Sequence, residues 1–286
     1  MIKVKVPATS ANLGPGFDAL GIAFNLYNEF GFEKNNKFEM INFQERYADP
    51  KHNLVCISYK KVFDYLNINA IPCKIYMMDQ NVPTSRGLGS SATCIVAGVL
   101  AAKYFLGKKV SYDECFQIAS EIEGHPDNIA PAMFGGMIAS YTVDKCFKHV
   151  RYEVSENLKF NVLVPSFELS THQAREVLPK ALPYSDIVYN SARVANLPYA
   201  FQSGNLELLV ELMDDKMHEP YRMPLIKDSS EIKKLAKENG FAFAISGAGP
   251  SLLVVSTTDI NDTFAKYSDF KVYKLSVASS GAIVEE

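Results

Sequence analysis

Val82-Pro83-Thr84-Ser85-Arg86-Gly87-Leu88-Gly89-Ser90-Ser91-Ala92 runs straight into the apolar stretch TCIVAGVLAAKYFLG, Thr93 to Gly107, and the junction between them decides the fold. Gly87 and Gly89 permit a tight turn and a close approach of backbone to a ligand. Ser90 and Ser91 then open a helix whose first-turn amides have no intrahelical partners. Those free N–H groups, the field at the helix start, the Arg86 cation and the serine hydroxyls together suit a chain of phosphates. The Ser91 hydroxyl is also a hard oxygen of the kind Mg²⁺ accepts. The competing interpretation is a plain turn entering a buried helix. Two familiar phosphate motifs are excluded. No lysine follows the glycines as GxxxxGK[ST] requires. Gly14-Pro15-Gly16 is a poor dinucleotide turn, because Pro15 stiffens it and Asp18 sets a negative charge where a pyrophosphate would sit.

Outward from this loop, strands and helices mix without the strict alternation of a barrel or a doubly wound sheet. Ile2 to Val6 alternates aliphatic and lysine, which predicts a half-exposed strand. Pro7 to Gly21 predicts a loop, and a strand-rich region follows to Phe43. Helices are predicted over 53–66, from Ser91, and after Ser111, where Glu114 completes a capping box. Gly135-Gly136 turns the chain into the strand MIASYTV. The polar run from Asp144 to Asn157 predicts a boundary between residues 1–155 and 156–286. In the second part, strands are expected over 160–164, 241–245, 252–256 and 272–277. Helices are expected over 172–178 (capped by Ser170), 186–200, 206–213 and 230–239.

The 286 residues are 48% hydrophobic and 21% charged, an ordinary globular balance. With 29 Lys and Arg against 32 Asp and Glu, the net charge of −3 argues against a nucleic-acid surface. The start alternates lysine with aliphatics, unlike a secretory segment, and the apolar run from Ser91 to Gly107 is short for a membrane span. Five scattered cysteines with no CxxC pair predict reduced structural thiols in a cytoplasmic protein.

Polar residues cluster in a second place. Glu121-Ile122-Glu123-Gly124-His125-Pro126-Asp127-Asn128 sits at a predicted helix end, broken by Gly124 and Pro126. Glu123 could hold a metal and Asn128 could bind a substrate through its two-sided amide. A solvated helix terminus fits the same residues. Asn12 and Asp18 in the first glycine loop, with Arg175 and Arg222, offer one carboxylate for an ammonium and two guanidiniums for a carboxylate. Taken singly, each is an ordinary surface residue.

PATSANLGPGFDALG (Pro7 to Gly21), VPTSRGLGSSA (Val82 to Ala92) and FAISGAGPS (Phe243 to Ser251) resemble the three motifs of the GHMP kinases. ANLGPGFD, EGHPDNIAPA (Glu123 to Ala132) and STHQAREVLP (Ser170 to Pro179) resemble the homoserine kinase branch of that family. The resemblance implies an α+β fold of two domains. A ribosomal-protein-S5-like N-terminal domain would precede a ferredoxin-like C-terminal one, with ATP and L-homoserine in the cleft between them. It implies phosphate contacts from Pro83, Arg86, Gly87, Leu88, Gly89, Ser90, Ser91 and Ala92, and Mg²⁺ held by Ser91 and Glu123, with Glu121 one helical step away as the other choice. Asn12, Asp18, His125, Asn128, Thr171, Arg175, Arg222 and Gly247 match positions lining the family's homoserine pocket. Asn12, Asn128 and Arg86 are the expected catalytic group. Asn128 stands where some GHMP kinases place a general-base aspartate, so direct in-line attack without a dedicated carboxylate base is expected. The resemblance further implies a cytoplasmic homodimer in threonine biosynthesis. Asn53 and nearby apolar residues are expected near the adenine. Competing functions are a kinase of mevalonate or a related alcohol, and a non-catalytic sensor of the same ligands.

Overall fold

The computed structural model describes residues 1–260 and 262–286. Among these residues the strands form a seven-stranded and a four-stranded sheet. The first sheet opens with β1 (Ile2–Ala11), antiparallel to β2 (Leu20–Lys34). Ile2, Val4 and Val6 are buried while Lys3 and Lys5 reach outward, as the alternation predicts. The strand does not stop at Pro7: it shifts register between Pro7 and Ala8 and continues to Ala11. The irregularity accommodates a residue that cannot donate to the ladder. The expected loop from Pro7 to Gly21 therefore shrinks to residues 12–19, whose bends are made by Asn12 and Asp18 at positive φ.

β3 (Glu39–Ile41), α1 (Leu54–Tyr65) and β4 (Cys73–Gln80) follow, then α2 (Ser90–Leu106), α3 (Tyr112–Glu123) and the short α4 (Ile129–Phe134), which sequence reading missed. Asn53 caps α1, and Ser111 with Glu114 forms the expected capping box on α3. α2 with its following turn is long and apolar enough to cross a membrane by length and composition. It lies instead as the central helix of a core, where Ile95, Val96, Val99 and Leu100 pack among the side chains of α1, α3 and β1. β5 (Met137–Val143) and β6 (Cys146–Tyr152) are a hairpin, turned by Asp144 and Lys145, both at positive φ. Half of the polar run from Asp144 to Asn157 is thus strand. Its solvent-facing charges hid it.

β7 (Lys159–Pro165) begins the second sheet. α5 (Thr171–Glu176), α6 (Tyr184–Ser203), α7 (Leu206–Leu212), α8 (Glu219–Arg222) and α9 (Ser229–Glu238) precede β8 (Ala242–Ile245), β9 (Leu252–Ser256) and β10 (Phe270–Leu275). The strand order is β10-β7-β9-β8, all antiparallel. β11 (Ile283–Glu285) returns to pair with β1. α9 covers one face of this sheet through Ile232 and Ala236. The other face shares a core with the first half: Phe24 of β2 meets Phe160 of β7 at 5.4 Å between ring centroids, and Phe201 of α6 joins them. That shared core fixes the walls of the cleft above it.

Candidate active site

A cavity of about 320 Å³ lies between the two halves and draws on both. At one end, Gly89 bends in the left-handed region and leads into α2 without a side-chain cap, so the first-turn amides stay free. Ser91 Oγ donates to Glu123 Oε2 at 2.8 Å. Burial pushes the Glu123 carboxyl up, against the pull of Ser91 and His125. A desolvated carboxylate beside a hydroxyl is a hard-oxygen pair that a divalent cation would satisfy. Glu121 is exposed and does not line the cavity, so the geometry favours Glu123.

The loop is clamped from behind. Gly87 has φ of +71°, and a Cβ there would lie 2.2 Å from Ser246 O. Ser246 Oγ sits 2.6 Å from Gly87 O and 2.8 Å from Ser10 Oγ, so it donates to the carbonyl and accepts from Ser10. Gly87, Gly89, Ser90 and Ser91 line the cavity, whereas Leu88 and Ala92 turn their side chains into the core and Pro83 lies off the lining. Arg86 lines the cavity as well, and it is also tied to the chain behind the loop. Its guanidinium donates to Pro165 O at 3.0 Å, Thr84 O at 2.8 Å and Ser166 O at 2.7 Å, and pairs with Glu168 at 3.5 Å. It braces the loop to the end of β7. Most of its donors go to these carbonyls, while the side chain still lines the cavity beside Gly87.

Phe43, Tyr47, Leu54 and Met77 form the apolar wall beyond the loop. Asn53 also lines it, but its Nδ2 donates to Tyr47 O and its Oδ1 caps the Val55 and Cys56 amides. It holds the wall rather than offering a free polar group.

At the other end, segments far apart in sequence converge. Asn12 Nδ2 donates to Gly247 O at 2.9 Å, and its Oδ1 accepts from the Asp18 amide at 2.8 Å. Arg175 grips Asp18 bidentately, at 3.1 and 2.7 Å. Arg222 is 1% exposed, a long cation buried behind this pair. Its Nε donates to Ala174 O at 3.0 Å and its Nη1 to Gly247 O at 3.3 Å. Burial, with Arg175 close by, pushes this guanidinium down to about 10. Phe17 lies beneath both cations, 5.6 Å from Arg175 and 5.1 Å from Arg222. Thr171 lines the rim.

The 125–128 turn completes the wall. His125 Nδ1 is hydrogen-bonded to Asp127 Oδ1, which also accepts from Asn128 Nδ2 at 3.3 Å. Burial lowers the His125 imidazolium and Asp127 more than reverses it, so its pKa is raised. Asn128 Oδ1 accepts from Thr9 Oγ1 at 2.7 Å. Asp127 is 1% exposed and its Oδ2 has no partner among the described residues. Sequence reading left the direction of Asp127 open; its carboxyl joins the cavity wall. It missed Thr9, Phe17 and His218 altogether. Thr9 and Phe17 lie inside the Pro7 to Gly21 motif without a role assigned to them, and His218 stands four positions before Arg222.

Residues 53–136 match the GHMP kinases N terminal domain and residues 199–268 match GHMP kinases C terminal. The homoserine kinase of Clostridium beijerinckii is 43% identical over 89% of this chain and 86% of its own length. That of Caldicellulosiruptor bescii is 41% identical over 89% of this chain and 84% of its own. Among solved structures, homoserine kinase from Cytophaga hutchinsonii superposes with a TM-score of 0.88 at 31% identity, covering 99% of this chain and 96% of that one.

Proposed function

The chain belongs to the homoserine kinases of the GHMP kinase family, and we propose that it transfers the γ-phosphoryl group of ATP to the side-chain hydroxyl of L-homoserine. The products are O-phospho-L-homoserine and ADP, a step of threonine biosynthesis. The observation that carries the substrate is the Asp18–Arg175 pair backed by buried Arg222. A zwitterionic amino acid exchanges for this pair, its ammonium going to Asp18 and its carboxylate to the two guanidiniums. Mevalonate has no ammonium, and would leave Asp18 facing a second carboxylate. The test is a coupled ADP-release assay with both alcohols. Homoserine is expected to be the better substrate by a large factor, and equal or reversed rates overturn the assignment.

We assign residues 1–155 to a nucleotide-binding domain and 156–286 to the second domain, with β11 returning to the first. The free amides at the start of α2 take the phosphates, and the apolar wall around Phe43 and Tyr47 takes the base. Ser91 and Glu123 would hold Mg²⁺, which supplies charge neutralisation for the phosphates when bound. Asn12 holds the Asp18 loop against Gly247, and Asn128, fixed by Thr9 and Asp127, faces the hydroxyl. In-line attack then needs no dedicated carboxylate base, because a loose phosphoryl-transfer transition state demands little early deprotonation. Rate comes from orientation and fixed charge. One observation favours a second reading: the unpartnered Oδ2 of Asp127 is a carboxylate oxygen available for a proton. The pH–rate profile of D127N separates the two. A cytoplasmic homodimer belongs to the same proposal on family resemblance.

A further inference from the structure

The amino-acid end depends on a residue that contributes no atom to the cavity lining. His218 is completely buried at the start of α8. Its backbone amide, with that of Glu219, donates to Asp215 Oδ2, each at 2.7 Å, so the turn holding it is rigid. Its ring stacks on Phe17, with centroids 5.4 Å apart and planes 29° apart.

The neighbours decide its tautomer. Nε2 lies 2.9 Å from Gly14 O and 3.7 Å from Asp215 Oδ2, both acceptors, so the proton sits on Nε2. Nδ1 lies 3.4 Å from Arg222 Nη1, which can only donate, so Nδ1 is bare and accepts. One neutral imidazole therefore links the loop that carries Asp18 to the guanidinium of Arg222. The loop has little other freedom on this side. Gly14 has φ of +51°, and a Cβ there would lie 2.7 Å from Met213 O. Arg222 keeps Nη2 without a partner among the described residues while His218 and two carbonyls fix the rest of the fork.

We propose that His218 is a positioning residue for the amino-acid substrate, setting the separation between the Asp18 loop and Arg222. A zwitterion's two charges are a fixed distance apart, so a group tying their two receptors together governs affinity for it. The inference rests on the homoserine reading above, and its test distinguishes the two. Wild-type enzyme is assayed first for phosphoryl transfer to homoserine. Absence of transfer overturns that reading and, with it, the substrate named here. Given transfer, H218A should raise the homoserine KM about ten-fold or more, the effect of losing a hydrogen bond to a charged group, with the ATP KM within about two-fold.

The two bonds can be removed separately. In H218Q the amide nitrogen reaches the place of Nε2 and keeps the bond to Gly14 O while losing the acceptor for Arg222. In H218N the amide oxygen stands near Nδ1 and does the reverse. Each should give an intermediate KM, and these near-isosteric variants carry the test if H218A does not fold. In an R222A background, H218Q should add less than about two-fold, because its missing partner is already gone. An unchanged homoserine KM in folded variants overturns the inference. So do ATP and homoserine KM rising together, or full additivity of H218Q with R222A. Each would reduce His218 to a packing residue.

Discussion

The phosphate end of the cavity is made mainly by one segment, Thr84 to Ser91, joined by Glu123, whereas the amino-acid end draws on segments spread from Asn12 to Gly247. The first works largely with backbone, through free amides at a helix start and a glycine pressed on a carbonyl. The second works with side chains, several buried and each engaged by another: Asn12 by Gly247, Asp18 by Arg175, Arg222 by His218. A backbone site tolerates little change in chain geometry but needs few particular side chains. A side-chain site is sensitive residue by residue. The two ends should therefore fail differently, through kcat at the first and through homoserine KM at the second.

The largest effect is expected at Ser91 and Glu123, the hydrogen-bonded pair proposed to hold Mg²⁺. Glu123→Ala and Ser91→Ala should lower kcat by about a hundred-fold or more, with little change in homoserine KM, measured by steady-state ADP release. A rise confined to homoserine KM would break the division between the ends. Next come the two arginines. R175A and R222A should each raise homoserine KM about ten-fold or more and leave ATP KM nearly unchanged, as expected for a lost charged hydrogen bond. Their stabilities should diverge. Arg175 is 39% exposed in its side chain, so R175A should melt close to wild type. Arg222 is buried, and its loss takes a side-chain donor from Ala174 O and leaves Gly247 O with Asn12 alone of its two side-chain donors. R222A should cost about 1.5–3 kcal/mol, seen as a lower Tm. Equal melting of both variants would show that burial at this end does not matter to the fold.

Asp127 should matter less than either group. D127N keeps the shape of the 125–128 turn, and under direct in-line attack it should retain kcat within about ten-fold at saturating substrate. A loss of roughly a thousand-fold, with disappearance of an acidic-limb pKa from the pH–rate profile, would identify a carboxylate base. The side-chain end would then hold the chemistry as well as the substrate.

The same division explains what the sequence disclosed. A contiguous loop shows its character in its own residue order, so the Gly87 to Ser91 turn into a helix could be read directly, and Ser111 announced its helix by a capping box and Ser170 by its cap, both present in the fold. Convergence across residues 12, 175 and 222 could be listed as compatible chemistry but not demonstrated, because nothing local encodes distance. Arg86 has a bracing role that nothing local announced: Pro165, Ser166 and Glu168, about eighty positions away, take most of its donors. β6 was missed because Lys148 and Arg151, three positions apart, fall on opposite faces of the strand and break the period-two pattern that would announce it. His218 was invisible since its role is to hold two other groups.

The smallest expected effect lies one layer behind Arg222. Lys233 Nζ reaches Asp214 Oδ1 at 3.0 Å and the fully buried Glu219 Oε2 at 2.9 Å, while Glu219 Oε1 accepts from the Ile245 amide at 2.8 Å. Burial alone would raise the Asp214 carboxyl, but Lys233, the Tyr189 hydroxyl and Lys237 overcome it and hold the group well below its ordinary 3.8. A depressed carboxyl contributes stability that is present above the unfolded value and lost as pH falls through the folded one. Asp214 is only partly buried, so solvent screening limits the contribution to about 1 kcal/mol, a few degrees in Tm. The Tm difference between wild type and D214N should be full at pH 6 to 7 and shrink as pH drops below 3.8. Taking the difference removes most of the opposite trend from Glu219, whose carboxyl is raised by burial in both proteins. Homoserine KM should stay within about two-fold in D214N, because Asp214 itself does not line the cavity. A ten-fold rise would move the boundary of the amino-acid end outward to include this ion pair, and a Tm difference independent of pH would mean that the Asp214 charge adds nothing to the fold.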